Sequence, residues 1–497
     1  MEIKLARNDV PSNYKVKLKD FNFARKFENI LEEQYINYKK TEYFTNFFMY
    51  NLKNIDSKII KMLEEKIGDC ILYIEPMSVY SLPIRIDDEV GEVPVIYPET
   101  NKNYVTLGVL DNGIAHIKYL HPWIKKIHTR FLRENTSCTH GTFIAGIALY
   151  GDKLEKKEIV KNQAFYLLDS TVLGSTSIEE DELLKNIFLA VEENHRQVKI
   201  WNLSLSVKLE IEEDRFSDFA IILDYLQKKY SILICKSGGN SGNFMKKKPK
   251  NKLYHGSDSL LSLVVASINN ENYSSNFSRL GLGPQNTIKP DLISYGGELS
   301  LNEEDGSMDM AGVKSFSIKG NIASSSGTSF ANARIASLAT IIYQNICTDF
   351  KNFSDFDATL IKALIIHSAK NTNRNLSIEE AGFGLPATSD SILSYLKNDR
   401  IKIFSGEMGK DYSLNLTPEF FGHEDNIEIK CTLVYETDFD YFQKDKYILS
   451  DIKIKNFSEL GENLVRKFTA SIKRGEDIIF YSNNDIEKKF TFIVEKV

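Results

Sequence analysis

The sequence predicts an α/β protein whose main domain is a doubly wound parallel sheet with helices on both faces. From residue 103 to about residue 396, short apolar strand patterns alternate with helical patterns. This alternation is typical of parallel strands that are buried on both faces. The pattern changes before and after this stretch. We therefore expect three parts: a short α+β region with a linker over residues 1–98, the doubly wound domain over residues 99–398, and a β-rich domain over residues 399–497.

The N-terminal region combines charged helical stretches with one short strand. Helices are predicted over residues 21–50 and 55–67, and a strand over residues 70–74. Three prolines and several acidic residues between residues 80 and 101 indicate a linker. The sequence of this region gives no indication of its role.

In the predicted central domain, strands and helices alternate at short intervals along the chain. Strands are predicted over residues 104–110, 163–168, 198–205, 231–235 and 261–267, and helices over residues 140–149, 180–194, 218–229, 329–346 and 357–369. In open parallel sheets, ligands bind beyond the carboxyl ends of the strands. Asp111 stands at such an end, directly after an apolar strand.

The last hundred residues have a different pattern. Short strands, partly alternating between apolar and polar residues, are predicted over residues 426–435, 447–454, 467–472 and 489–494. Polar turns separate them. This pattern predicts a small β-sandwich.

Composition excludes several classes of protein. The net charge is −6 with a pI near 5.9, which argues against a general nucleic-acid binder and against a basic membrane-surface protein. No run of about 18 apolar residues is present and no apolar signal-peptide core stands at the N-terminus, so we expect no membrane span and no signal peptide. Five scattered cysteines without a CxxC pair indicate free thiols in a reducing compartment and no zinc site. We expect a cytoplasmic protein without a bound metal.

Three segments contain the residue types of a nucleophilic hydrolase. They are Leu107-Gly-Val-Leu-Asp111-Asn-Gly113, His140-Gly-Thr-Phe-Ile-Ala-Gly146 and Gly327-Thr-Ser329-Phe-Ala331. A serine hydroxyl needs a base within hydrogen-bond reach, and the base needs an acid that orients it. Taken alone, Asp111 fits a plain turn, His140 a structural histidine and Ser329 an ordinary helix N-cap. Together they predict that Asp111 orients His140 and that His140 activates Ser329.

A fourth segment predicts a donor for the negative charge that develops on a substrate oxygen. Asn240 follows an apolar strand and Ser237-Gly-Gly, so its side-chain amide can stand beyond the sheet edge. The backbone N–H of Ser329, at a helix N-terminus, would be the second donor. Gly-Asn is also common in turns, so Asn240 could simply belong to a turn. Asn243, three residues further on, is the alternative candidate for the side-chain donor.

The four segments, in the chain order Asp…His…Ser, resemble the subtilase family of serine peptidases over about 300 residues. The resemblance implies a subtilisin-like fold, peptide or protein substrates and no cofactor. It also implies that Ser204, Leu205, Ser206, Gly238 and Gly239 bind substrate. The chain departs from the family at Ala333, where proline is usual, and at Ser206, where glycine is usual. A side chain at residue 206 favours a restricted peptide substrate.

The resemblance predicts a serine endopeptidase, most simply a regulated intracellular processing enzyme. Similar bacterial proteins occur beside AAA-type ATPases in phage-defence loci, which implies such an ATPase as partner, and others process leader peptides. A catalytically silent subtilase fold that acts as a scaffold is the alternative from another class. The basic run Lys246-Lys-Lys-Pro-Lys250 is either a solvated loop or a contact for an acidic partner. The oligomeric state stays open.

Overall fold

The computed structural model describes residues 2–3, 12–80, 84–161, 163–205, 209–302, 305–349, 356–443, 446–455 and 464–497. A parallel sheet of seven strands forms the centre of the fold, with an N-terminal sheet before it and two antiparallel sheets after it. All five cysteines are free thiols. Among the described helices, none combines the length and the apolar composition that a membrane span requires.

The N-terminal region forms a five-stranded sheet with two helices packed on it. Its elements are β1 (Glu2–Ile3), β2 (Ser12–Leu18), α1 (Ala24–Glu33), β3 (Tyr38–Phe44), β4 (Phe47–Ile55), α2 (Ser57–Ile67) and β5 (Ile71–Pro76). The strand order is β1-β5-β2-β4-β3, and only β1 and β5 run parallel. Apolar residues of both helices join those of the sheet in one core.

The helix predicted over residues 21–50 is wrong beyond Glu33. The hairpin of β3 and β4 replaces it, with Asn46 in the left-handed conformation at the turn. The hairpin strands are rich in aromatic residues, which favour strands when a neighbouring face buries them. A left-handed asparagine is a usual turn former.

The central domain contains the predicted doubly wound sheet. Its elements are β6 (Val79–Tyr80), β7 (Asp87–Glu89), β8 (Thr106–Asp111), β9 (Ile124–Thr129), α3 (Thr139–Glu155), β10 (Tyr166–Thr171), β11 (Ile178–Glu179), α4 (Glu180–Asn194), β12 (Ile200–Leu203), α5 (Asp218–Tyr230), β13 (Leu233–Ser237), β14 (Leu263–Ile268), β15 (Leu292–Tyr295), β16 (Glu298–Leu301), β17 (Met308–Ala311), β18 (Val313–Phe316), β19 (Ile322–Ser325), α6 (Thr328–Asp349), α7 (Ala358–Ser368), α8 (Ile378–Ala381) and α9 (Ser389–Ser394). The seven parallel strands lie in the order β15-β14-β13-β12-β8-β10-β9. The fold class is confirmed.

The predicted linker makes two short pairings with this domain. β6 runs antiparallel to β11, directly before α4, and β7 runs antiparallel to β19, shortly before α6. The Arg85 backbone carbonyl accepts a hydrogen bond from the Ser325 hydroxyl at 2.7 Å. The linker is therefore attached to two different edges of the central domain.

The C-terminal region consists of two small antiparallel sheets. Its elements are β20 (Ile401–Met408), β21 (Asp411–Asn415), α10 (Pro418–Phe421), β22 (Asn426–Tyr435), β23 (Ile452–Ile454), β24 (Val465–Lys473), β25 (Asp477–Ser482) and β26 (Lys488–Lys496). The sheets have the orders β20-β26-β22-β24 and β21-β25-β23. Phe480 of one sheet packs edge-on against Phe492 of the other, with ring centroids 4.9 Å apart. The two sheets thus share a core.

Buried charges attach the N-terminal sheet to the first turn of α4. The Lys15 ammonium lies 2.8 Å from Glu75 and 3.1 Å from Glu180, and all three side chains are almost fully buried. The Asp181 carboxylate accepts hydrogen bonds from Thr41 and Asn51 at 3.1 Å each. Charges removed from water must be paired, so these contacts specify one docking position.

Replacing Lys15 by methionine should destabilise the protein strongly. Glu75 and Glu180 would stay buried without their cation, and breaking a buried pair from one side costs about 3–5 kcal/mol. Urea unfolding of the full chain measures this cost.

Lys102→Met is the matched control, because Lys102 and Glu99 form an exposed pair at 4.0 Å. Its free energy of unfolding should stay close to that of the wild type. Equal effects of the two substitutions would contradict the assignment of a structural role to the buried pair.

Candidate active site

Asp111 and His140 meet where β8 ends and α3 begins. Asp111 is the last residue of β8 and His140 is the second residue of α3, and both are buried. The Nδ1 atom of His140 lies 2.9 Å from Oδ1 and 2.8 Å from Oδ2 of Asp111. With Nδ1–H donating to the carboxylate, the neutral ring keeps Nε2 as the proton acceptor.

Two glycines allow this close approach. A Cβ atom on Gly141 would lie 2.3 Å from the carbonyl oxygen of Gly113 and 3.2 Å from Cβ of Asp111. Gly113 itself has a backbone φ of 100°, a value that residues other than glycine rarely adopt. The backbone N–H of Gly141 donates to Oδ1 of Asn112 at 2.9 Å. The turn after β8 and the first turn of α3 are therefore in direct contact.

Ser329 is the second residue of α6 and is half-buried. The ring of the next residue, Phe330, packs 4.7 Å from Phe143 and 6.0 Å from His140, measured between centroids. The Ser329 hydroxyl donates to the carbonyl of Ser204 at 3.1 Å, and the Ser204 hydroxyl donates back to the Ser329 carbonyl at 3.0 Å. In the part of the chain that the structure describes, no hydrogen bond joins this hydroxyl to His140. Catalytic hydrogen bonds are often long or poorly aligned in sites without substrate.

The side chain of Asn240 is fixed on one side and exposed on the other. Its Oδ1 atom accepts hydrogen bonds from the Thr328 backbone N–H at 3.0 Å and from the Thr328 hydroxyl at 2.9 Å. A backbone N–H can only donate, so this bond determines which end of the amide is oxygen. The amide nitrogen lies beside Gly327, 3.1 Å from where a Cβ would stand. The N–H groups of Asn240 therefore point toward the start of α6.

Asn243, the other candidate donor, is engaged within its own loop. Its amide nitrogen donates to the carbonyl of Pro249 at 2.7 Å. Of the basic run that follows, residues 246–248 are exposed, and Lys250 donates to the Ser274 hydroxyl at 2.6 Å. This geometry favours Asn240 over Asn243 as the donor.

The predicted substrate-binding residues follow the ends of two adjacent strands. Ser204 and Leu205 follow β12, and Gly238 and Gly239 follow β13. Ser206 lies outside the described residues. These strand ends flank the start of α6, because the Gly239 backbone N–H donates to the Thr328 hydroxyl at 3.1 Å.

Sequence reasoning missed three groups that hold this site. The side-chain nitrogen of Asn332, one turn into α6, lies 3.0 Å from Asn202 Oδ1, 3.2 Å from the Ser204 hydroxyl and 2.9 Å from the Cys235 carbonyl, and its two N–H groups donate to acceptors of this set. In the sequence, Asn332 could have been noticed only as a polar amide side chain among the small residues of α6.

The Arg279 guanidinium donates to the Asn240 carbonyl at 3.1 Å and lies 3.4 Å over the ring of Tyr254. Phe277-Ser-Arg279 resembles a loop of the family, but no sequence pattern placed Arg279 or Tyr254 at the site, since both act through tertiary contacts.

The assembled groups are those needed for acyl transfer. A carboxylate and an imidazole are hydrogen-bonded, a hydroxyl lies at a helix N-terminus close by, and a fixed amide donor faces the same helix start. An imidazole oriented by a carboxylate can take a proton from a hydroxyl, and preorganised N–H donors stabilise a developing oxyanion. Within the described residues, no cluster of three or more potential ligands suits a metal ion.

Comparison with known proteins identifies one matching family model, the subtilase family, over residues 102–384. No curated protein matches the chain. A solved structure with the same fold is a mutant of the epidermin leader peptide processing serine protease EpiP from Staphylococcus aureus, at 15% identity, a TM-score of 0.52, and coverage of 77% of this chain and 98% of that one. The prenylagaramide maturation protease PagA is more distant, at 16% identity, a TM-score of 0.43, and coverage of 58% and 92%.

Replacing Gly141 by alanine should separate α3 from the turn after β8. The added methyl group would overlap the Gly113 carbonyl, and such overpacking typically costs about 1–3 kcal/mol. Chemical unfolding measures this loss.

Gly406→Ala is the control, because a Cβ atom on this exposed glycine of β20 would lie 4.0 Å from its nearest neighbour, an atom of the Phe490 ring. Alanine fits there without overlap, and it loses less conformational freedom on folding than glycine. A Gly141→Ala protein as stable as the Gly406→Ala protein would contradict the close contact described above.

Proposed function

Because this chain belongs to the subtilase family and is a serine endopeptidase, we propose that Asp111, His140 and Ser329 form its catalytic triad. The family match covers more than half of the chain and includes all three residues. The observation that carries the proposal is the buried hydrogen bond between His140 and Asp111 at 2.8 Å. An imidazole held in this way keeps Nε2 available to a hydroxyl.

The proposed reaction begins at the Ser329 hydroxyl. Its oxygen attacks the carbonyl carbon of the substrate while His140 Nε2 takes the hydroxyl proton, and Asp111 stabilises the imidazolium that forms. The carbonyl electrons move onto oxygen, where the Asn240 amide and the Ser329 backbone N–H donate hydrogen bonds. Collapse of this intermediate breaks the C–N bond, and His140 gives its proton to the leaving amine. Water then hydrolyses the acyl-enzyme with His140 again acting as the base.

The Ser329 hydroxyl must change partner for this reaction. It donates to the Ser204 carbonyl in the free protein, so a rotation about its Cα–Cβ bond has to direct it to His140. Since Ser204 also belongs to the proposed substrate-binding strand end, we propose that an extended peptide bound there frees the hydroxyl. The free protein would then hold its nucleophile in a resting state.

The narrower biological roles remain proposals. A regulated processing role, an AAA-type ATPase partner and phage defence rest on resemblance alone. A cytoplasmic location rests on the five scattered cysteines without a CxxC pair. The name of EpiP states that it processes a leader peptide, so a single peptide substrate is the second candidate role for this chain. Cleavage of a diverse peptide library, compared with the Ser329→Ala protein by mass spectrometry, would distinguish a restricted preference from general proteolysis.

A fluorophosphonate probe tests the nucleophile. It should label the wild-type protein and should not label Ser329→Ala, because the probe reacts only with an activated serine hydroxyl. Ser326→Ala is the control: that hydroxyl donates to the Glu298 carbonyl at 3.1 Å, and labelling should persist. An unlabelled wild-type protein would favour the silent scaffold.

The donor assignment is tested by two asparagine substitutions. Asn240→Ala should lower kcat about 100- to 1,000-fold with KM little changed, which is the range known for the donor asparagine of subtilisin. Asn243→Ala should leave kcat close to that of the wild type, because the Asn243 amide donates to the Pro249 carbonyl within its own loop. The reverse result would assign the oxyanion donor to Asn243.

A further inference from the structure

A buried arginine side chain contacts the backbone of the proposed oxyanion donor. Arg279 is 5% exposed, and burying a charged group is costly unless its N–H groups find acceptors. Its Nε–H donates to the Asn240 carbonyl at 3.1 Å, and an Nη1–H donates to the Lys252 carbonyl. Nη1 also lies 3.4 Å from the half-exposed carboxylate of Glu210. The proposed steps of proteolysis do not involve this side chain.

The contacts of Arg279 join the segments that follow β12 and β13. Glu210 belongs to the segment after β12 and forms an isolated antiparallel bridge with Tyr254. Asn240 belongs to the segment after β13 and forms a bridge of the same kind with Ser278. The predicted substrate-binding residues lie in the same two segments. Arg279 therefore links the two strand ends at which we expect a peptide to bind.

The ring of Tyr254 restrains the guanidinium and the donor segment together. The guanidinium carbon of Arg279 lies 3.4 Å from the ring centroid, a stacked arrangement that a planar guanidinium favours. The same ring packs against Gly239, where an added Cβ would lie 2.4 Å from the Cδ2 atom of Tyr254. Gly239 directly precedes Asn240. The ring thus contacts both the cation and the residue before the donor.

The peptide group after Asn240 is held at both of its polar atoms. Its carbonyl oxygen accepts the hydrogen bond from Arg279, and its N–H, which belongs to Ser241, donates to the Phe277 carbonyl at 2.8 Å. Thr328 donates to the side-chain Oδ1 of Asn240. Because the backbone and the amide oxygen are both fixed, the direction of the two amide N–H groups is fixed as well.

We propose that Arg279 is a positioning residue for proteolysis: by binding the Asn240 carbonyl, it keeps the Asn240 amide aligned with the substrate oxygen that becomes negative. This inference rests on the proposed function, in which Asn240 donates to that oxygen. The negative charge develops only on the way to the transition state, so a misaligned donor lowers kcat and leaves KM little changed. Arg279 acts through Asn240 and does not touch the reacting atoms.

Arg279→Lys tests the positioning role, because lysine keeps the charge but replaces the planar fork and its Nε–H by a single ammonium group. We expect kcat to fall about 10- to 100-fold, the range expected for a small misplacement of a catalytic group, with KM little changed. The substrate is the library peptide that the wild-type protein cleaves fastest. The labelling rate of the fluorophosphonate probe should fall as well, because its phosphoryl oxygen takes the place of the oxyanion.

Arg374→Lys is the matched control. The Arg374 guanidinium also stacks on an aromatic ring, 4.1 Å from the centroid of Tyr273, and its Nε–H also donates to a backbone carbonyl, that of Glu271 at 3.2 Å. Both partners lie in the turn after β14. The Arg374→Lys protein should therefore keep the kcat and the KM of the wild type.

A double-mutant cycle with Asn240→Ala separates positioning from a general structural effect. In the Asn240→Ala protein no amide remains to be aligned, so adding Arg279→Lys should lower kcat by less than about twofold, as expected for two residues that act through one contact. A merely structural role of Arg279 would lower kcat by the same factor in both backgrounds. Thermal unfolding of each protein checks that it is folded.

Arg279→Gln is the second variant, since it removes the charge, and it should show the same dependence on Asn240. An unchanged kcat in both variants, a rise in KM alone, or equal factors in the two backgrounds would each overturn the positioning role. An active wild type whose kcat does not respond to Asn240→Ala would refute the donor assignment. A wild-type protein that neither cleaves peptides nor reacts with the probe would refute the triad, and the positioning role with it.

Discussion

The contact between Gly113 and Gly141 determines where the other groups of the active site lie. It brings the first turn of α3 against the end of β8, so that His140 reaches the carboxylate of Asp111. α3 then packs on the start of α6 through Phe143 and Phe330. The first residue of α6 in turn holds Asn240. A displacement at the first contact would therefore pass through two helices to Asn240, the proposed oxyanion donor.

Much of this arrangement could be predicted from local sequence. Continuous apolar strands identified the parallel sheet, and Asp111 and Asn240 could be placed at its edge because each directly follows such a strand. The N-terminal hairpin could not be predicted, since its aromatic residues are buried only by a neighbouring sheet and helix. β9 was missed for a related reason: it is an edge strand, and basic residues interrupt its apolar pattern. Arg279 and Thr328 act on Asn240 across long sequence separations, which no local pattern reveals.

The departure from the family pattern at Ala333 has a structural counterpart in the next residue. Arg334 is almost fully buried, pairs with Glu155 and donates to the Tyr295 carbonyl at 3.2 Å. α6 begins at Thr328 without a proline in its first turn. The bonds of Thr328 to Asn240 and of Asn332 to Asn202 hold that turn in place. These polar contacts fix the first turn of α6, whose packing could not be predicted from the sequence.

The pairing of Asn240 with Thr328 also bears on catalytic efficiency. The two proposed donors to the oxyanion, the Asn240 amide and the Ser329 N–H, belong to segments that are joined by three hydrogen bonds at Thr328. They form one rigid unit before any peptide arrives. The dipoles are consequently oriented when the protein folds, and little reorganisation energy is needed at each turnover.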